Sequence, residues 1–148
     1  MRSLVCIAIL IVFTPVAAFA KTEATSETQV ISDLVQRAQQ AHPKDQCYLY
    51  AMILQSMTEL ADHQLMQGNE AGADTTLQKM QRYALLLHES LQPRTKKLKN
   101  SEELLHSTSL RLQGLMHNAP FNDQSVVKAT LTNVEHVESE LLNQVFLH

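Results

Sequence analysis

The sequence predicts an all-α protein: an up-down antiparallel helical bundle of four long helices, preceded by a short N-terminal helix. Three observations carry this. Apolar residues recur at intervals of three and four along five separate stretches, the repeat of a single helix face. Glycine occurs only three times in 148 residues, and the prolines sit almost entirely at the borders of those stretches, so the turn chemistry that sheets need is missing. Apolar residues make up 45% of the chain, enough for a core, because a domain of about 130 residues buries over 60% of its unfolded surface.

The N-terminus comes first. Met1 and Arg2 are a basic start, Leu4 to Phe13 is an unbroken apolar run, Pro15 breaks it, and Ala18-Phe19-Ala20 is the small-x-small pattern that signal peptidase cuts after. The expectation is a signal peptide over residues 1–20 with cleavage before Lys21. The mature chain is then exported, periplasmic or extracellular, with no stable membrane insertion. Cys6 lies inside the apolar run, ahead of the cleavage region, so it is not placed as a lipoprotein cysteine.

Lys21 to Thr25 reads as a polar tail. Ser26 with Gln29 three residues on forms a capping box, and Val30, Ile31, Leu34, Val35, Ala38 and Ala41 share one face of a short helix. That helix ends at His42, because Pro43 pushes the residue before it out of the α region. Residues 21–43 are thus tail and short helix, and residues 44–148 the bundle.

The bundle opens at Pro43, which suits a first helical turn, and its first helix runs to about Gln67. Cys47, Tyr50, Leu54, Met57, Ala61 and Leu65 make one stripe, which Leu49, Ile53 and Leu60 widen. A helix buried on more than half its circumference belongs at the centre of the fold. Gly68 supplies the left-handed residue beyond its end, and Asn69 caps the next helix, with Glu70 in its first turn. Ala73, Leu77, Met80, Ala84, Leu87 and Leu91 then alternate spacings of four and three, a heptad-like seam suited to shallow antiparallel packing. Pro93 stops it.

The fourth helix carries Leu98, Leu105 and Leu112 seven apart, with Leu104, Thr108, Leu115 and Met116 on the same side. Asn118 to Asp123 is the clearest loop, and Asn122 or Asp123 caps the last helix. In that helix Val127, Leu131, Val134, Leu141 and Val145 form a seam that Glu138 interrupts. A polar residue there either sets helix register or marks a solvent gap. Short connections make sequential helices antiparallel neighbours.

Two resemblances attach to these residues. The hairpin holding Leu60, Ala61, Gly68, Ala73 and Leu77 resembles a tetratricopeptide repeat, although Leu85 holds the repeat's terminal proline position and no second copy occurs at a period of about 34 residues. Asp45 to Leu65 resembles small exported bacterial proteins of unknown function. That resemblance implies export and a helical fold, and no activity.

After cleavage, 11 Lys and Arg face 15 Asp and Glu, a formal charge of −4 that argues against nucleic-acid binding. Cys47 is then the lone cysteine, so no disulfide can form within the chain, and its place on an apolar stripe reads as an inert thiol rather than a nucleophile or a dimer bridge. Arg94, Lys96, Lys97 and Lys99 form the basic cluster, read as a solvated helix start. The methionines fall on apolar faces as core filler. Gly68, Gly72 and Gly114 assemble no phosphate loop, no Gly-x-Ser-x-Gly elbow occurs, and no cofactor is expected.

Seven histidines are the unusual feature. Helical bundles hold metals on Glu-x-x-His pairs, since residues three apart share a face. Glu103 and His106 have that spacing, Glu59 and His63 are four apart, and no second Glu-x-x-His completes a di-iron pattern. The candidate metal ligands are therefore His63, Glu103 and His106. Antiparallel helices would put His63 and His117 near one end, His88 near the other, and His106 and His136 near the middle. The leading functional reading is an exported, non-enzymatic interaction or structural protein with an unknown protein partner or self-association. The alternative is a bundle that binds a metal or a small ligand between its helices.

Overall fold

Pro43–Met66 folds as the helix around which the others pack. The computed structural model describes residues 18–120 and 123–147, with side chains from Ser26 onward. Its helices are α1 (Ala18–Gln40), α2 (Pro43–Met66), α3 (Glu70–Ser90), α4 (Leu98–Asn118) and α5 (Gln124–Phe146), with no strand among the described residues. The all-α helical bundle expected from the sequence is the fold observed. α2 packs against α1, α3 and α4, while α5 closes the far side against α3 and α4. This is why Ala51, Ile53, Leu54 and Ala61 are wholly buried on one helix. None of the described helices is long and apolar enough to cross a membrane.

Round the bundle the order is α2, α3, α5, α4, and α3 and α4 lie across the diagonal without touching. Consecutive helices alternate in direction as expected, but α3 and α4 are not neighbours. The connection explains the difference. Gly68 turns α2 into α3 within Gln67 to Asn69, whereas α3 and α4 are joined by the longer Leu91 to Lys97. Extended chain covers about 3.3 Å per residue, so this segment spans a diagonal that the short turn cannot. It is pinned beneath α2: the Lys96 N–H donates to the Lys44 carbonyl at 2.8 Å, the Lys96 ammonium meets Asp45 at 3.2 Å, and the Lys97 ammonium sits 4.3 Å from the centre of the Tyr48 ring. Much of the basic cluster is thus spent on anchoring this crossing. Lys97 itself takes a left-handed conformation (φ 56°) to start α4, strained for a residue with a Cβ.

The first helix is not short. α1 continues back through Lys21 to Thr25, expected from the sequence to be a tail, and its 23 residues match its companions in length. The physical reason is plain: Ala18 to Thr25 holds three alanines and neither glycine nor proline, so nothing stops the helix. Of the expected leader, residues 1–17 lie outside the described residues. At its other end α1 stops at Gln40 and His42 becomes extended (φ −60°, ψ 140°), as a residue before proline must. The His42 Nδ1 then accepts the Lys44 N–H at 3.2 Å, which makes it the cap of α2.

Local chemistry fixes the α2–α3 turn, whereas Asp123, expected to cap α5, makes no side-chain cap there, and Asn122 lies outside the described residues. Gly68 takes φ +72° and Asn69 Oδ1 accepts the Gly72 N–H at 3.1 Å, capping α3 as the sequence indicates. Of the five α5 seam positions, Val127, Leu131, Val134 and Leu141 are buried, and Val137 takes the place at which a strict heptad would put Glu138. A straight helix drifts about 20° per heptad, and that drift turns Val137 inward and Glu138 toward α4. Thr130 is wholly buried on the other flank, where its hydroxyl donates to the Leu77 carbonyl at 3.1 Å and accepts from the Gln81 amide at 3.2 Å, tying α5 to α3.

Candidate metal centre

Histidine and glutamate meet repeatedly where helices adjoin. His63 of α2 lies 2.6 Å from Glu27 of α1, His88 of α3 lies 2.5 Å from Glu140 of α5, and His106 of α4 lies 2.8 Å from Glu138 of α5. His117 instead donates within its own helix, to the Gln113 carbonyl. His148 lies outside the described residues.

At the α4–α5 edge these contacts become a donor set. Glu102 and His106 are one helical turn apart on α4, on the same face, and Glu138 projects between them from α5. One oxygen of each carboxylate and one ring nitrogen of His106 all lie within 4.8 Å of one another. Glu138 is the anchor: its side chain is 17% exposed against 59% for His106, and its Oε2 accepts the Ser109 hydroxyl at 2.5 Å while Oε1 faces His106 Nδ1 at 2.8 Å. Ser109 is buried on α4, so the carboxylate is oriented by a residue that cannot turn away.

Two carboxylates and one imidazole suit a divalent first-row ion such as Mn2+, Fe2+ or Zn2+. Protein ligands would fill three positions and leave the solvent side for water. Ser109 supplies the outer contact that holds a ligating carboxylate in one orientation.

The structure does not bring His63, Glu103 and His106 together. His63 pairs with Glu27 on α1, and Glu103 points to solvent, 4.0 Å from Lys99 on its own helix. His106 alone joins the cluster. Its partners are Glu102, the chain neighbour of Glu103, and Glu138, which the sequence shows only as a polar break in a seam. That break is the usable signal. His88 and His136 also meet, with ring centres 6.2 Å apart, although their positions along the helices placed them at an end and a middle.

Cys47 is fully buried. Burial pushes its thiol above the ordinary range, against the smaller opposing effect of hydrogen bonds from Ser101 and Ser90. A protonated, enclosed thiol is a poor nucleophile. Compared with known families, curated proteins and solved structures, the chain gives no match.

Proposed function

We propose that this is an exported, non-enzymatic helical bundle that binds a divalent transition-metal ion on Glu102, His106 and Glu138. The observation that carries the reading is the convergence of three donor atoms within 4.8 Å on a carboxylate fixed by Ser109. Export rests on the leader pattern of residues 1–20. A binding role is supported by the site's setting on a helix edge open to solvent, where His106 is 59% exposed and an ion can enter and leave.

Isothermal titration of the chain with Mn2+ tests this, with Glu102→Gln/Glu138→Gln as the comparison. One equivalent bound by the wild type and lost in the variant is the expected result. Equal heats from both proteins, or none from the wild type, would refute the site.

A second reading, self-association, has its own observation. Leu142, Phe146 and Leu147 are 40%, 81% and 82% exposed at the end of α5, an apolar cluster of the kind that marks contact surfaces. Sedimentation of the wild type and Phe146→Ser decides it. A dimer that the substitution dissociates supports the reading, and a monomer in both removes it.

A further inference from the structure

We infer that the groove between α1 and α3, over the C-terminal half of α2, binds a short single-chain aliphatic carboxylate. The groove shares no residue with the α4–α5 centre, so it stands or falls separately.

Its existence follows from the order of the helices. α2 packs against both α1 and α3, and those two do not pack on each other. They stand as walls on either side of α2, and the hollow between them holds about 290 Å³. The floor is apolar. Met57 and Leu60 of α2 form it, 3% and 7% exposed, and Ile31 of α1 lines the wall above them.

The α3 wall is of another kind. Lys79 and Arg82 stand there three residues apart, a spacing that puts them on one helix face. Neither forms an ion pair with any described residue, whereas Lys96, Lys99 and Arg111 are all paired. Nor does any acidic side chain among the described residues line the groove. Glu27, the chain neighbour of the wall residue Thr28, is turned to His63 at 2.6 Å. Two like charges on neighbouring positions of a helix repel, and a bound anion would relieve that repulsion. Tyr83 completes the wall, and its ring packs against Tyr50 with centres 6.4 Å apart. The wall is therefore held in place before a ligand arrives, which lowers the cost of binding.

An apolar floor beside a positive wall fits a molecule with a hydrocarbon tail and an anionic head. The planar guanidinium of Arg82 matches a carboxylate through two parallel hydrogen bonds, and the Lys79 ammonium adds a second charge. Volume sets the length of the tail. A group the size of water takes about 30 Å³, so the groove has room for a carboxylate and a tail of about seven carbons. Octanoate has that size.

Heteronuclear magnetic resonance of the full-length chain, titrated with octanoate below its micelle threshold, tests the inference. Parallel titrations use 1-octanol, which keeps the tail and lacks the charge, and acetate, which keeps the head and lacks the tail. Octanoate is expected to shift the methyl signals of Ile31 and Met57. Lys79→Gln/Arg82→Gln should weaken octanoate about fivefold to tenfold, the effect of two solvent-exposed charge contacts, and leave the response to 1-octanol unchanged. Both residues are exposed, and unchanged circular dichroism verifies that the variant is folded. Equal octanoate affinity in the two proteins would overturn the inference. So would acetate binding as tightly as octanoate, shifts confined to residues outside the groove, or no shift at all. Failure of the metal centre would register separately, because Glu102→Gln/Glu138→Gln should leave octanoate binding untouched.

Discussion

The hairpins α2–α3 and α4–α5 pack by the same antiparallel geometry, yet their edges carry different chemistry. Across the first, Thr76 donates to Gln64 at 2.8 Å and the Thr58 hydroxyl meets the Met80 sulfur at 3.8 Å, all neutral groups. Across the second, His106 and Ser109 meet Glu138, and Gln113 donates to Glu135 at 3.0 Å. The difference arises from position. α2 touches three helices and has little edge left, whereas α4 and α5 each touch two. Apolar burial is concentrated where a helix is surrounded, and ligand chemistry becomes available where it is not.

The sharpest test of that contrast is a cavity in each hairpin. Ile53→Ala on α2 is expected to cost about 3–4 kcal/mol and Val134→Ala on α5 about half as much, since both sites are wholly buried but the first loses more methylenes. Urea unfolding measures both. Next in size is stabilisation by metal. Mn2+ at a hundred times its dissociation constant should add about 2.7 kcal/mol to the wild type and nothing to Glu102→Gln/Glu138→Gln. That gain should add independently to the Ile53→Ala loss, because distant sites combine additively. A smaller effect belongs to the α2–α3 turn. Gly68→Ala meets no neighbour within 4 Å but must hold φ +72°, a backbone cost of about 1 kcal/mol that a thermal melt resolves.

The smallest effect concerns Asp74. Burial, and then the charge of Asp123, hold its carboxyl above the ordinary 3.8. The folded state therefore binds this proton more tightly than the unfolded chain. The resulting stability is present below the ordinary value and is lost as pH rises through the raised one. At neutral pH the charged group opposes folding, so Asp74→Asn should be the more stable protein by under about 0.5 kcal/mol. The advantage should vanish near pH 3, as parallel urea titrations at the two pH values would reveal.

Particular residues show how much is legible without the fold. Leu54, Leu77, Leu87, Leu105 and Leu112 are buried where the helical repeat places them, because that repeat is a property of the chain alone. Three-residue spacing favours Glu103 over Glu102 because it matches a known bundle pattern, but spacings of three and four both share a face with His106. Only the location of α5 separates them. Glu138 is visible as an interruption, and its role depends on Ser109 and His106 lying opposite it.

By itself, the sequence determined the number of helices, their apolar faces, the Gly68-Asn69 turn and the pre-proline break at His42. Each of these is set by residues within a few positions of one another. The tertiary structure decided that α3 and α4 lie diagonally, and that Glu102, His106 and Glu138 converge while His63 and Glu103 stay apart. Those outcomes depend on which helices become neighbours and at what rotation. That choice is made by packing the whole core at once, and no local stretch of chain contains it.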